Sequence, residues 1–189
     1  MLKQKAREWF EWCGYSLRNR SELGGNLFID MKRLMGDRFP VVFDVGSNEG
    51  QSIESFRSHV HTSSIHAFQP SAKTFGILES KHAATPGVVR LNNFGLRSRH
   101  ESRELVENAE SGMSSFLAPG RDCWGEIVLR SQVKLETLDD YTSLSQISYV
   151  DILKIDTQGF ELEALKGSVR MISEHRIRLI YAELIFPEM

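Results

Sequence analysis

From Val41 onward, short apolar runs alternate with amphipathic segments, and this alternation constrains the fold more than any other feature. The amphipathic segments repeat apolar residues every three or four positions, which is the spacing of one helical face. Near-continuous apolar strands are typical of a parallel sheet that is covered on both sides. The sequence therefore predicts an α/β fold with a mostly parallel sheet and helices on both faces. The runs interpreted as strands are 41–45, 65–68, 88–91, 149–155 and 177–184. The helical stripes are marked by Ile53, Phe56 and Val60, by Phe75 and Leu78, and by Leu162, Leu165, Val169 and Ile172.

The alternation is interrupted over residues 95–134, where Gly112, Pro119 and Gly120 break the pattern. Weaker apolar alternation near 103–106 and 126–135 predicts a pair of strands inside this otherwise irregular stretch.

Residues 1–38 differ from the rest of the chain. The segment 3–13 gathers aromatic side chains, and in the segment 26–36 Leu27, Met31 and Leu34 fall on one helical face. We expect residues 1–38 to form a helical cap on a main domain at 39–189. A helix that gates the substrate or joins two copies is the alternative.

Composition excludes several kinds of partner. The chain has 189 residues and a formal net charge of −2, which gives no electrostatic case for a nucleic acid or an anionic membrane. No apolar run approaches the roughly 20 residues needed to span a bilayer. Cys13 and Cys123 lie far apart and lack the spacing of metal ligands, so we expect no metal. Cytoplasmic localisation is the expectation.

The sequence stops at Phe186, Pro187, Glu188 and Met189, directly after the last predicted strand. A parallel sheet that ends with this strand has an uncovered edge, which favours association. We therefore expect closing C-terminal strands to be missing, and homo-oligomers to form through the exposed sheet edge.

A glycine-containing turn follows the first predicted strand, with the sequence Asp44, Val45, Gly46, Ser47, Asn48, Glu49 and Gly50. Gly46 and Gly50 allow sharp backbone turns and a close approach to a ligand, and the next helix offers free N–H groups. The spacing is not that of a dinucleotide fingerprint. It fits D-x-G-x-x-x-G, the first motif of class I methyltransferases. A tight turn without a ligand is the alternative.

Polar residues follow the predicted strands at their carboxyl ends. Gln69 follows the second strand, Asn93 the third and Asp156 the fourth, while Glu183 closes the fifth. In an open parallel sheet these ends lie along one edge, where ligands bind. Taken singly, Asn93 fits a turn cap and Glu183 fits a partner of an arginine. Together they predict a ligand site.

Five strings resemble the FkbM family of methyltransferases: VVFDVGSNEGQSIESF, IHAFQPS, SGMSSFL, VKLETLDDY and DILKIDTQGFELEALKG. The resemblance extends from about Phe39 to the end of the chain. It implies a Rossmann-like sheet that binds S-adenosyl-L-methionine and an O-methyltransferase acting on hydroxyls of sugars, polysaccharides or other natural products. It also implies that the turn containing Asp44, Gly46, Ser47, Asn48 and Gly50 binds the methionine end of the cofactor. Gln69 is then placed at the ribose, Asn93 at the adenine and Asp156 near the transferred methyl group.

Asp156 is the candidate catalytic residue, either as a general base or as a group that positions the acceptor. A structural or cofactor-binding carboxylate is the alternative role, and Glu161 and Glu183 are alternative bases. Ser114 and Ser115 are interpreted as a lid or as an ordinary loop. Histidines 59, 61 and 66 are interpreted as surface or packing residues.

The family usually has Glu or Asp where this chain has Gln69. A glutamine offers one acceptor oxygen and no charge, so its hydrogen bonds to a diol are weaker. This residue favours the competing hypothesis, a methyltransferase-like domain that binds without catalysis. The intact glycine turn and the row of polar residues favour the enzyme.

Overall fold

The computed structural model describes residues 26–82, 87–109, 111–116 and 126–183. The chain divides into two compact units, one ending at Arg38 and the other beginning at Phe39. The described part of the first unit is helix α1 (Leu27–Met35), which begins where Asn26 Oδ1 accepts hydrogen bonds from the next backbone N–H groups. Whether this unit caps or gates the second stays a prediction. The aromatic segment 3–13, both cysteines and residues 184–189 lie outside the described ranges.

The second unit contains the five strands predicted for the main sheet and the helices predicted after the first and second strands, whereas the strand Gly95–Leu96 and the helix Leu138–Leu144 were not predicted. The five predicted strands form, and their bounds differ from the prediction by no more than two residues. In chain order the elements are β1 (Val41–Val45), α2 (Gln51–His59), β2 (Ser64–Phe68), α3 (Ala72–His82), β3 (Val89–Asn92), β4 (Gly95–Leu96), β5 (Glu101–Asn108), a 3-10 helix (Ser111–Met113), β6 (Ile127–Glu136), α4 (Leu138–Leu144), β7 (Val150–Ile155), α5 (Glu161–Lys166), α6 (Val169–Ser173) and β8 (Ile177–Ala182).

The main sheet has five strands in the order β3-β2-β1-β7-β8, and each neighbouring pair is parallel. The predicted α/β fold with a parallel sheet is therefore confirmed. Successive strands are added on one side of β1 as far as β3, and the chain then crosses to the other side for β7 and β8. The strand order thus reverses between β1 and β7, which is where open sheets of this kind bind ligands.

Helices cover both faces of this sheet. Phe43 and Val45 of β1 share a buried cluster with Leu138 of α4, Ala164 of α5 and Met171 of α6. Asp44 points to the opposite face because side chains alternate along a strand. There its Oδ2 accepts a hydrogen bond of 2.7 Å from the Ser52 hydroxyl of α2. The two faces are therefore covered by different parts of the chain.

A second, three-stranded sheet has the order β4-β6-β5, and its two long strands are antiparallel. This confirms the strand pair predicted within the irregular stretch, although both strands extend beyond the predicted limits. Leu105 and Phe116 form a small core with Val133, Leu135 and Phe160. Because Phe160 follows the main-sheet strand β7, this core joins the second sheet to the region around the carboxyl end of β7.

The single helical stripe predicted between the fourth and fifth strands is wrong, since α5 and α6 are separate short helices. They meet at Gly167, where an added Cβ would lie 2.0 Å from the Arg97 carbonyl oxygen. This close backbone approach fixes where the first helix ends. Leu162 and Val169 of the predicted stripe are exposed, whereas Ala164 is buried.

Within the described ranges, β8 forms one outer edge of the main sheet. Self-association through that edge stays a prediction. None of the helices in these ranges combines the length and apolar character required to cross a bilayer.

Candidate functional site

A cleft of about 640 Å³, part of it open to solvent, lies beside the carboxyl ends of β1, β2 and β7. Clefts that bind small molecules typically have mostly apolar walls with a few polar groups. The lining residues are Val45, Gly46, Asn48, Phe68, Gln69, Pro70, Gly95, Leu96, Leu105, Ser111, Gly112, Ser114, Phe116, Asp156, Thr157 and Gln158.

The turn after β1 contributes Gly46 and Asn48 to the cleft. Gly46 has a φ of +80°, and a Cβ added there would lie 1.8 Å from the Asp156 carbonyl oxygen. Only glycine therefore lets the ends of β1 and β7 approach so closely. Asn48 has a φ of +47°, in the left-handed region. Its Oδ1 is buried and has no hydrogen-bond partner among the described residues.

Asp44, predicted to contact the cofactor, is fully buried and does not line the cleft. Its Oδ1 accepts a hydrogen bond of 3.0 Å from the Lys154 ammonium, and its Oδ2 accepts one from Ser52. Burial by itself would lower the pKa of Lys154. The charges of Asp44 and Asp156 and the hydrogen bonds to them outweigh burial and raise this pKa above its usual value. The lysine is therefore charged.

Asp156 follows β7 and lines the cleft, and its side chain is 29% exposed. Its Oδ1 accepts a hydrogen bond of 3.0 Å from the Gln158 amide, and its Oδ2 lies 3.6 Å from the Lys154 ammonium. Gln158 and Lys154 thus orient the two carboxylate oxygens, and the carboxylate still lines the cleft. This arrangement suits a carboxylate that accepts a hydrogen bond or a proton from a bound ligand.

Gln69 follows β2 and lines the cleft, with only 7% of its surface exposed. No hydrogen bond joins its side-chain amide to another residue in the described ranges, so this buried amide remains available to a ligand.

Asn93, predicted to contact the adenine, does not line the cleft. Its amide instead donates hydrogen bonds to the carbonyl oxygens of Gln69, at 2.9 Å, and Pro70, at 3.2 Å. Asn93 therefore fixes the turn that presents Gln69.

Ser47 and Gly50, also predicted to contact the cofactor, support the turn from outside the cleft. The buried Ser47 hydroxyl donates to the Asp44 carbonyl oxygen at 2.6 Å and accepts from the Phe68 N–H at 3.1 Å. Gly50 has a φ of +95°, and an added Cβ would lie 2.5 Å from Nε2 of His82 on α3. The glycine is required by the packing of α2 against α3.

The two alternative bases do not line the cleft. Glu161 is 4% exposed, and one of its oxygens accepts three hydrogen bonds from the loop that precedes it. Glu183 follows β8 with an exposed side chain, and its backbone N–H donates to the Ile155 carbonyl oxygen at 3.0 Å.

The histidines of the second strand region also lie away from the cleft. His66 is buried in β2, and its Nδ1 lies 2.7 Å from the Tyr141 hydroxyl. Burial, with a smaller contribution from the charge of Arg90, lowers its pKa from 6.5 to about 4. His59 and His61 are exposed.

The segment 111–116, in which Ser114 and Ser115 were interpreted as a lid or an ordinary loop, lines the cleft on the side of the second sheet. Ser114 lines the cleft, and the Ser115 hydroxyl donates to the Gln158 carbonyl oxygen at 2.8 Å. Ser115 also exchanges two backbone hydrogen bonds of 3.0 Å with Val106 of β5. The string SGMSSFL was a signal for this segment, but neither composition nor spacing shows which wall it forms.

The chain is an α/β protein with a parallel sheet and a cleft where the strand order reverses, which is the place where open sheets of this class bind their ligands. Four predicted cofactor residues line this cleft: Gly46, Asn48, Gln69 and Asp156. No group of His, Cys, Asp and Glu side chains suited to a metal ion occurs in the described part of the chain.

The chain belongs to the FkbM methyltransferase family. The family profile described as the methyltransferase FkbM domain matches residues 44–188. The crystal structure of methyltransferase FkbM from Methylobacillus flagellatus KT is similar, with 18% sequence identity and a TM-score of 0.49. The match covers 75% of this chain and 32% of that chain, so this chain spans about a third of that relative. Comparison with curated proteins finds no match.

Proposed function

We propose that this protein is an S-adenosyl-L-methionine-dependent O-methyltransferase whose acceptor is a hydroxyl group of a sugar, polysaccharide or other natural product. Membership of a methyltransferase family supports the reaction type. When bound, S-adenosyl-L-methionine supplies a methyl group on a positively charged sulfur, which is activated for in-line displacement. The acceptor class rests on the family resemblance.

The observation that carries the cofactor proposal is Oδ1 of Asn48, which is buried beside the cleft and has no hydrogen-bond partner among the described residues. A buried acceptor without a hydrogen bond is costly, so it is expected to find a donor when a ligand binds. The ammonium of a methionine moiety is such a donor. Gly46 also supports a cofactor site at this turn. Because it has no side chain, the turn can lie directly against the Asp156 backbone at the edge of the cleft.

The other cleft residues fit the remaining parts of the same ligand. The Gln69 amide offers one acceptor and two donors to a ribose diol. Asp156 lines the same cleft with its carboxylate held in place, and we assign it the acceptor hydroxyl. There it orients the hydroxyl and removes its proton as the methyl group is transferred.

Calorimetric titration of the purified chain with S-adenosylhomocysteine tests this proposal directly. Asn48→Ala removes the orphan acceptor and should weaken binding about tenfold, the effect of losing one good hydrogen bond. Gln146→Ala is the matched control, since Gln146 also has a left-handed backbone, with a φ of +55°, but lies outside the cleft lining. Equal losses in both variants would assign the effect to backbone strain and contradict the proposal.

A domain that binds the cofactor without turnover is the second candidate, favoured by the neutral Gln69. Transfer of a labelled methyl group to a panel of hydroxylated glycans separates the two. Binding combined with no transfer, under conditions where an active family member transfers, would favour the binding domain.

A further inference from the structure

The Glu161 carboxylate folds the loop that connects β7 to α5. Its Oε1 accepts hydrogen bonds from the Thr157 N–H at 2.9 Å, the Thr157 hydroxyl at 3.1 Å and the Gly159 N–H at 3.0 Å. Hydrogen bonds from backbone N–H groups to a carboxylate are charge-assisted and stronger than neutral ones. Because Glu161 is buried, water does not compete for them.

The loop held in this way has an unusual backbone. Gln158 has a φ of +54° and Gly159 a φ of +93°, so two consecutive residues are left-handed. For a residue with a side chain, this conformation persists only where the surrounding structure enforces it. Glu161 accepts hydrogen bonds from Thr157 and Gly159, the residues on either side of Gln158, and these bonds hold Gln158 in the left-handed conformation.

The conformation of Gln158 has direct consequences in the cleft. It returns the side-chain amide to Asp156 Oδ1, at 3.0 Å, and it directs the carbonyl oxygen to the Ser115 hydroxyl, at 2.8 Å. One loop therefore orients the candidate catalytic carboxylate and also joins the end of β7 to the segment 111–116, which lines the same cleft.

We propose that Glu161 is a positioning residue that orients Asp156 and closes the cleft wall by acting through the loop 157–159. Glu161 is not among the described residues that line the cleft. The consequence for binding rests on the proposed function, because it takes S-adenosylhomocysteine as the probe. The consequence for the loop does not depend on that function.

Two variants of Glu161 test this role. Glu161→Gln retains an acceptor oxygen at the same reach but loses the charge, and Glu161→Ala removes the acceptor. Glu163→Gln is the matched control on the same helix, since the Glu163 carboxylate accepts from Ser98, Arg97 and Lys166, and none of these partners belongs to the loop 157–159.

The first measurement is amide hydrogen exchange of the unliganded protein, which reports local opening. We expect the Thr157 and Gly159 amides to exchange faster in the order wild type, Glu161→Gln, Glu161→Ala. In Glu163→Gln these amides should remain as protected as in the wild type. Unchanged exchange in the Glu161 variants, or equal acceleration in the control, would overturn the proposal whether or not the protein binds the probe.

The second measurement is the dissociation constant of S-adenosylhomocysteine. We expect about tenfold weaker binding for Glu161→Ala, a smaller loss for Glu161→Gln and wild-type affinity for Glu163→Gln. If the variants lose loop protection but bind as the wild type does, Glu161 serves stability alone and the proposal fails. If the wild type itself does not bind, the proposed function fails, and the exchange order alone decides the role of Glu161. If Glu161→Ala does not fold, Glu161→Gln provides both measurements.

Discussion

Lys154 and Asp44 form a buried ion pair between the neighbouring strands β7 and β1 of the main sheet, with 3.0 Å between the ammonium and the carboxylate. The two residues are register partners in the parallel pairing of β1 with β7. They lie directly before the carboxyl ends at which Gly46 and Asp156 approach each other. Strands β1 and β7 are thus joined by backbone hydrogen bonds and by opposite charges on the face where Ser52 of α2 contacts Asp44.

We expect Lys154→Met to destabilise the fold by about 3–5 kcal/mol, because it leaves the fully buried Asp44 carboxylate without its cation. The double variant Asp44→Asn with Lys154→Met removes both charges and should recover most of this loss. Urea unfolding at pH 7 measures all three proteins. If the double variant were as unstable as the single one, lost packing of the lysine stem would be the cause.

Gly46→Ala should destabilise the protein by at least about 2 kcal/mol, since the added methyl group meets the Asp156 carbonyl oxygen and the backbone is left-handed. It should also abolish cofactor binding, because the ends of β1 and β7 must separate. Gly76→Ala is the control, as its Cβ meets nothing within 4 Å and its position in α3 favours alanine by roughly 1 kcal/mol. Unfolding curves and ligand titrations together test this prediction. Unaltered affinity in Gly46→Ala would place the cofactor elsewhere.

Gln69→Glu should tighten cofactor binding by roughly 1 kcal/mol, because a carboxylate makes charge-assisted hydrogen bonds to a diol. The same change should reduce the stability of the unliganded protein, since a buried charge without a partner is unfavourable. Gln69→Met, of similar volume but without hydrogen-bonding groups, should weaken binding. Calorimetric titration of the wild type, Gln69→Glu and Gln69→Met with S-adenosylhomocysteine gives the order of their affinities. Equal or weaker binding by Gln69→Glu would show that this residue does not contact the diol.

Most of the fold could be predicted because apolar runs and helical stripes are local signals. The strand at 41–45 is apolar except for Asp44, and burial on both faces requires that composition. The division between α5 and α6 could not be predicted, because it depends on the approach of Gly167 to Arg97, a residue 70 positions earlier in the sequence. Local periodicity contains no information about such a contact.

The site was predictable in position but not in detail. Parallel strands bring Gln69 and Asp156 to one edge whatever their side chains do, and both line the cleft, whereas Asn93 and Glu183 of the same row do not. Asp44 lies on the same edge, but strand alternation turns it towards Lys154 and away from the cleft. The wall formed by 111–116 depends on the folding of the second sheet over the first, a long-range arrangement that spacing does not encode.

The final prediction concerns pH and the buried His66. Its pKa is about 4 in the folded protein and 6.5 ordinarily, so between these values the unfolded chain binds a proton that the folded chain does not. Stability should therefore fall as the pH decreases from 6.5 towards 4 and level off below that range. The full loss is about 3 kcal/mol. His66→Gln has no group that titrates in this range, so it should lose less stability between pH 6.5 and pH 4. Tyr141→Phe is the control, because it removes the hydroxyl beside Nδ1 but keeps the imidazole. Its free energy of unfolding should depend on pH about as steeply as that of the wild type. Urea unfolding at pH 6.5, 5.5 and 4.5 compares the slopes, and a wild-type slope in His66→Gln would assign the pH dependence to other groups.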